Sequence, residues 1–70
     1  MNIRDFIDSL CHPEYIQQIS IHIPGMGNQV FTTDNWNNTR DTIIRMYEGR
    51  KINKVTLYAI GRVCVYIDIL

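Results

Sequence analysis

Residues 54–70, KVTLYAIGRVCVYIDIL, decide the fold, because they read as a β-hairpin whose register follows from the residues alone. Successive side chains of a strand point to opposite faces. Val63, Val65, Ile67 and Ile69 therefore share one face, and Cys64, Tyr66, Asp68 and Leu70 the other. In the run before them, Val55, Leu57 and Ala59 alternate with Lys54, Thr56 and Tyr58. Gly61 suits a turn because glycine adopts positive φ without penalty. With Ile60-Gly61-Arg62 as the loop, Ala59 faces Val63, Leu57 faces Val65 and Val55 faces Ile67. On the reverse, Tyr58 meets Cys64, Thr56 meets Tyr66 and Lys54 meets Asp68. A loop one residue shorter would set Leu57 against Tyr66 and Thr56 against Ile67, and such a slip turns a whole strand over. The register assigns Val55, Leu57, Val63, Val65, Ile67 and Ile69 to the core.

The rest of the chain supplies elements to pack on this hairpin. Asn2 caps a first helix, with Ile3, Phe6, Ile7 and Leu10 at helical spacing and Asp5 and Asp8 near its start. Pro13 bars its continuation. Residues 15–23, YIQQISIHI, form a strand with Ile19, Ile21 and Ile23 on one face and Ser20 and His22 on the other. Pro24-Gly25-Met26-Gly27-Asn28 is a turn, and residues 29–33, QVFTT, return as a second strand. A second helix starts near Asn38 or Thr39, with Asp41 in its first turn, Trp36 at its entrance and Ile43, Ile44 and Tyr47 as its buried stripe. Gly49 marks its end. The order is helix, hairpin, helix, hairpin. The expected fold is a single α+β domain over residues 1–70: a four-stranded antiparallel sheet with both helices on one face.

Composition bounds the function. Seventy residues give one small core and no room for an internal active-site cavity. Zero formal net charge argues against a general nucleic-acid binder and against an acidic DNA mimic. Arg40, Arg45, Arg50, Lys51 and Lys54 lie close in sequence, whereas Asp5, Asp8, Glu14 and Asp34 dominate the first half; two solvated faces account for this. Cys11 and Cys64 do not make a disulfide framework. The start of the chain carries acidic residues and no apolar run, and no segment is apolar enough for a membrane span. The expectation is a cytoplasmic protein with free thiols.

The residues that carry chemistry elsewhere are poorly placed for it here. Cys11, His12, His22 and Cys64 are zinc-type ligands without metal-site spacing, so no metal or cofactor is expected. Cys64 and His22 share a sheet face but lack an orienting group and an oxyanion site. The glycine-rich turn has no phosphate-loop ending. What stands out is the uncovered sheet face, with Ser20, His22, Thr56, Tyr58, Cys64 and Tyr66. Tyrosine favours protein interfaces because it offers a large area at low entropic cost. Tyr58, Tyr66, His22, Thr56 and the turn-tip Met26 are the expected partner-binding residues. RNA platforms also present aromatics, but among basic residues, and Lys54 is matched here by Asp68. The apolar strand Ile67-Asp68-Ile69-Leu70 is either central or covered by a partner, and self-association suits so small a core.

The opening MNIRDFIDSL, followed by an I-x-I-x-I strand and a hairpin, resembles small proteins of bacteriophages and mobile elements of Gram-positive bacteria. It also looks like the start of some small anti-CRISPR proteins, the Cas9 inhibitors. The resemblance implies a non-enzymatic counter-defence inhibitor that occludes a bacterial protein in the host cytoplasm. Charge neutrality departs from the acidic members, and no functional residue carries over. Two other readings remain open at this point. One is an oligomeric sponge for a signalling nucleotide, with Arg45, Arg50, Lys51 or Lys54 against phosphate. The other is a structural subunit of a larger, homo-oligomeric assembly.

Overall fold

The computed structural model describes residues 1–10, 12–59 and 63–70. Cys11 and the loop 60–62 expected to join the last two strands lie outside the described residues. The elements are α1 (Ile3–Asp8), a 3-10 turn (Pro13–Tyr15), β1 (Ile16–Ile23), β2 (Gly27–Thr32), α2 (Trp36–Tyr47), β3 (Ile52–Ala59) and β4 (Val63–Ile69). The order helix, hairpin, helix, hairpin is as read from the sequence. So is the β3–β4 register: Lys54, Val55, Thr56, Leu57, Tyr58 and Ala59 pair with Asp68, Ile67, Tyr66, Val65, Cys64 and Val63.

The sheet itself corrects the expectation. It is mixed, not antiparallel, with strand order β2-β1-β4-β3 and a parallel β1–β4 pair at its centre. The cause is α2. Its 12 residues return the chain along the length of the sheet, as in a crossover unit, so β3 runs in the same direction as β2. Their antiparallel partners, β4 and β1, are then parallel to each other. The two isoleucine-rich strands take the centre, and the question of an open β4 edge is answered: β4 is flanked on both sides. Register shifts at Ile16/Gln18 and Ile52/Lys54 restore even-numbered Ile16 and Ile52 to the core side of strands whose other core residues are odd-numbered.

The core is built from Ile3, Ile7, Ile19, Ile21, Ile43, Val65, Ile67 and Ile69, each almost wholly buried, with Ile16, Ile23 and Tyr47 around them. Burying a side chain of this size contributes roughly 1.5–3 kcal/mol. Asn2 caps α1 by accepting from the Asp5 N–H at 2.8 Å. The two helices are clamped by charge: Arg40 pairs with Asp8, and Arg4 Nη1 lies 3.4 Å from Glu48 Oε2. The two pairs are of opposite sense, a first-half acid with a second-half base and a first-half base with a second-half acid.

Several boundaries differ from expectation. The strand expected from Tyr15 begins at Ile16, and β2 begins at Gly27 instead of Gln29. The turn is compact: the Met26 N–H donates to the Ile23 carbonyl at 3.0 Å, Pro24 precedes Gly25, and Gly25 takes φ +80°. This is the Pro-Gly arrangement of a type II turn. The second helix starts at Trp36, with Asn35 as cap, so Asp41 lies beyond its first turn and pairs with Arg40. It ends at Tyr47 followed by Glu48 in right-handed conformation, and Gly49 is not in the left-handed region.

The largest correction concerns Leu57. It was expected in the core, and it does lie on the core side opposite the buried Val65, yet it is 65% exposed. Val55 and Val63 are half-buried. The reason is helix length. α1 has six residues, about 9 Å of helix. It is tied to the beginning of β3, where the Ile3 N–H donates to the Arg50 carbonyl at 2.9 Å. From Ile52 the strand runs on by roughly 16 Å to Leu57.

Candidate functional site: the open face of the sheet

The registers of all three strand pairs order the uncovered face into rows across the four strands. Thr32, Gln18, Cys64 and Tyr58 form one row; Val30, Ser20, Tyr66 and Thr56 the next; Asn28, His22, Asp68 and Lys54 the third. The strict two-residue period of each strand makes this arrangement. Sheet twist bends the face into an open hollow of about 530 Å³, lined by Ser20, His22, Asn28, Lys54, Thr56, Tyr58, Tyr66, Ile67 and Asp68.

The centre of the hollow is aromatic. Tyr58 and Tyr66 sit diagonally on adjacent strands, ring centroids 5.1 Å apart and nearly perpendicular, an edge-to-face contact. They remain 52% and 41% exposed. Ser20, between Val30 and Tyr66 in its row, is buried at 4% exposure although it faces away from the core. The third row is polar. His22 Nδ1 lies 2.8 Å from Asn28 Oδ1. An amide oxygen can only accept, so Nδ1 carries the proton and Nε2 is left to accept from a ligand when the ring is neutral. Lys54 and Asp68 face each other as expected, but the ion pairs of the described residues involve Arg4, Arg40 and His12, not Lys54. The matched register does not withdraw the Lys54 charge from this face.

Of the five residues expected to bind a partner, the hollow brings together His22, Thr56, Tyr58 and Tyr66. Met26 stands apart at the β1–β2 turn, 81% exposed, next to the polar row. Asn28 was missed because it reads as a turn residue; its place in β2 depends on Gly27 opening the strand.

The four cations expected to hold an anion do not all lie on one side of the sheet. Arg45 is on α2, on the helix side of the sheet, and Lys54 is on the open side. The Arg50 guanidinium is spent on the Leu70 backbone oxygen, at 2.7 and 3.2 Å. Lys51 forms an antiparallel bridge with Asn2.

The Cys64–His22 pair fails on distance. Cys64 and His22 share the face, but Cys64 is in register with Gln18, four residues along β1 from His22, roughly 13 Å away. No group of three metal-binding side chains occurs among the described residues, and among them no helix is long and apolar enough to cross a membrane. A second hollow of about 500 Å³ lies at the far end of the sheet, lined by Glu14, Tyr15, Ile16, Gln17, Thr33, Asp34 and Val63. The Glu14 carboxyl there is held below its ordinary pKa by its backbone hydrogen bond and by His12, whose Nδ1 is 3.0 Å away.

Comparison with protein-family models, with curated proteins and with solved structures finds no match to this chain.

Proposed function

We propose that this chain is a non-enzymatic binding protein that occludes a protein partner with the open face of its sheet. The observation that carries the reading is the half-exposed Tyr58–Tyr66 pair, held edge to face between polar side chains on a hydrogen-bonded scaffold. Rigid aromatic side chains lose little entropy on association, and a preformed sheet needs no ordering. The hollow is broad and open, which suits a protein surface; small-ligand sites enclose most of their ligand. Met26, at the turn beside the polar row, extends the same surface. The resemblance to phage and mobile-element proteins supports a bacterial defence protein as the target, met in the host cytoplasm.

The test is a comparative pull-down from a bacterial host with the wild-type chain and a Tyr58→Ala, Tyr66→Ala double variant. A protein captured by the wild type and lost by the folded double variant is the expected result. A partner retained in full by the folded double variant overturns this face as the site.

A further inference from the structure

The two edges of the sheet differ in protection. At β2, α2 reaches the edge strand: the Thr39 hydroxyl donates to the Thr32 carbonyl at 2.8 Å, and Tyr47 meets Phe31 edge to face. β2 is also short and begins Gly27-Asn28-Gln29, a polar run of low strand propensity. β3 lacks these devices beyond its start, where the Ile52 N–H donates to the Met1 carbonyl at 3.0 Å and Asn2 bridges Lys51. It is eight residues long, contains no proline, and carries on its core side a leucine that no helix covers. Beyond the register shift at Ile52/Lys54 and the Lys54 charge, residues 54–59 leave an open edge that can template another strand.

We infer that the occupant is a second copy of this chain, with the two β3 strands pairing antiparallel about a two-fold axis through Thr56. The edge is self-complementary. Helices on the same side of both copies require residues of like parity to pair. With Thr56 opposite its own copy, Leu57 faces Val55 on the core side, so the exposed leucine is capped by the half-buried valine. On the open side Tyr58 faces Lys54, giving the ammonium that is unengaged by ion pairs an aromatic ring. Over residues 54–58, aliphatic meets aliphatic on the core side, and on the open side Thr56 meets itself and Lys54 meets an aromatic ring. The product is a continuous eight-stranded sheet, with two hollows side by side on one face. The inference stands apart from the proposed partner, because its test needs no partner.

The experiment is light scattering on the purified full chain, with cysteine cross-linking to fix the register. Expected are twice the monomer mass for the wild type and the monomer mass for Leu57→Lys, with unchanged circular dichroism. Thr56→Cys should form a disulfide-linked dimer on oxidation beyond the level of the wild type, which carries the same native cysteines, and Val30→Cys on β2 should not. A monomeric wild type overturns the inference. So does a dimer that survives Leu57→Lys, or one that cross-links through Val30→Cys and not Thr56→Cys.

Discussion

The two faces of one sheet obey different rules, although the same strands supply both. On the helix side, Ile19, Ile21, Val65, Ile67 and Ile69 are branched aliphatics packed against Ile3, Ile7 and Ile43 with almost no exposure. On the open side, the alternate residues of those strands are Ser20, His22, Cys64, Tyr66 and Asp68. A parallel central pair is ordinarily covered on both faces and reads as continuous apolar sequence. Here β1 and β4 are a parallel pair that alternates, with one face packed under the helices and the other polar. Substitutions on the closed face should therefore cost stability, and those on the open face should cost the proposed binding.

The largest expected effect is on the closed face. Ile21→Ala removes a fully buried side chain and leaves a cavity, a loss of about 2–5 kcal/mol, enough to unfold most of a domain this small. Thermal denaturation followed by circular dichroism measures it. On the open face, Tyr58→Ala with Tyr66→Ala removes one edge-to-face contact worth about 0.5–1.5 kcal/mol beyond area, so the domain stays folded. The same melting experiment separates the two faces.

Tyr47 sharpens the comparison from inside the core. Its hydroxyl is buried with no hydrogen-bond partner. Burial pushes its phenol above the ordinary 10.0, against a smaller opposing influence from the Arg50 charge. The folded phenol therefore keeps its proton to higher pH than the unfolded one. The stability this group contributes is fully present below about pH 10 and is lost as pH rises through the raised value. Tyr47→Phe should stabilise the protein by about 1 kcal/mol at neutral pH by removing an unsatisfied polar group. It should also flatten the alkaline fall in urea-denaturation midpoint. The smallest effect is at the cap: Asn2→Ala should cost about 1 kcal/mol or less, read as a lower melting temperature.

How far the sequence carries is set by the range of the interactions involved. The β3–β4 register follows from period-two alternation of adjacent strands, and all six expected pairs form. The Asn2 cap and the Ile19, Ile21, Ile23 face follow from equally local rules. The parallel β1–β4 pairing does not, because two hairpins of known register can still join by either edge, and a crossing helix chooses between them. The start of α2 is ambiguous within DNWNN, where several residues can cap; packing of Trp36 against the core accompanies the choice of Asn35. The exposure of Leu57 depends on how far α1 reaches, a length no alternation pattern encodes. At the site, the tyrosine pair and His22 were legible from parity, while the His22–Asn28 contact needed the β1–β2 register.

We propose the open face as the working surface, with the closed face only supporting it. Amide chemical-shift mapping of the labelled chain, titrated with the protein captured in the pull-down, tests this most directly. The account predicts shifts concentrated at Ser20, His22, Val30, Thr56, Tyr58 and Tyr66, with α1 and α2 unmoved. Shifts concentrated on Arg4, Arg45 and Glu48 of the helix layer, with the tyrosine rows silent, would contradict it.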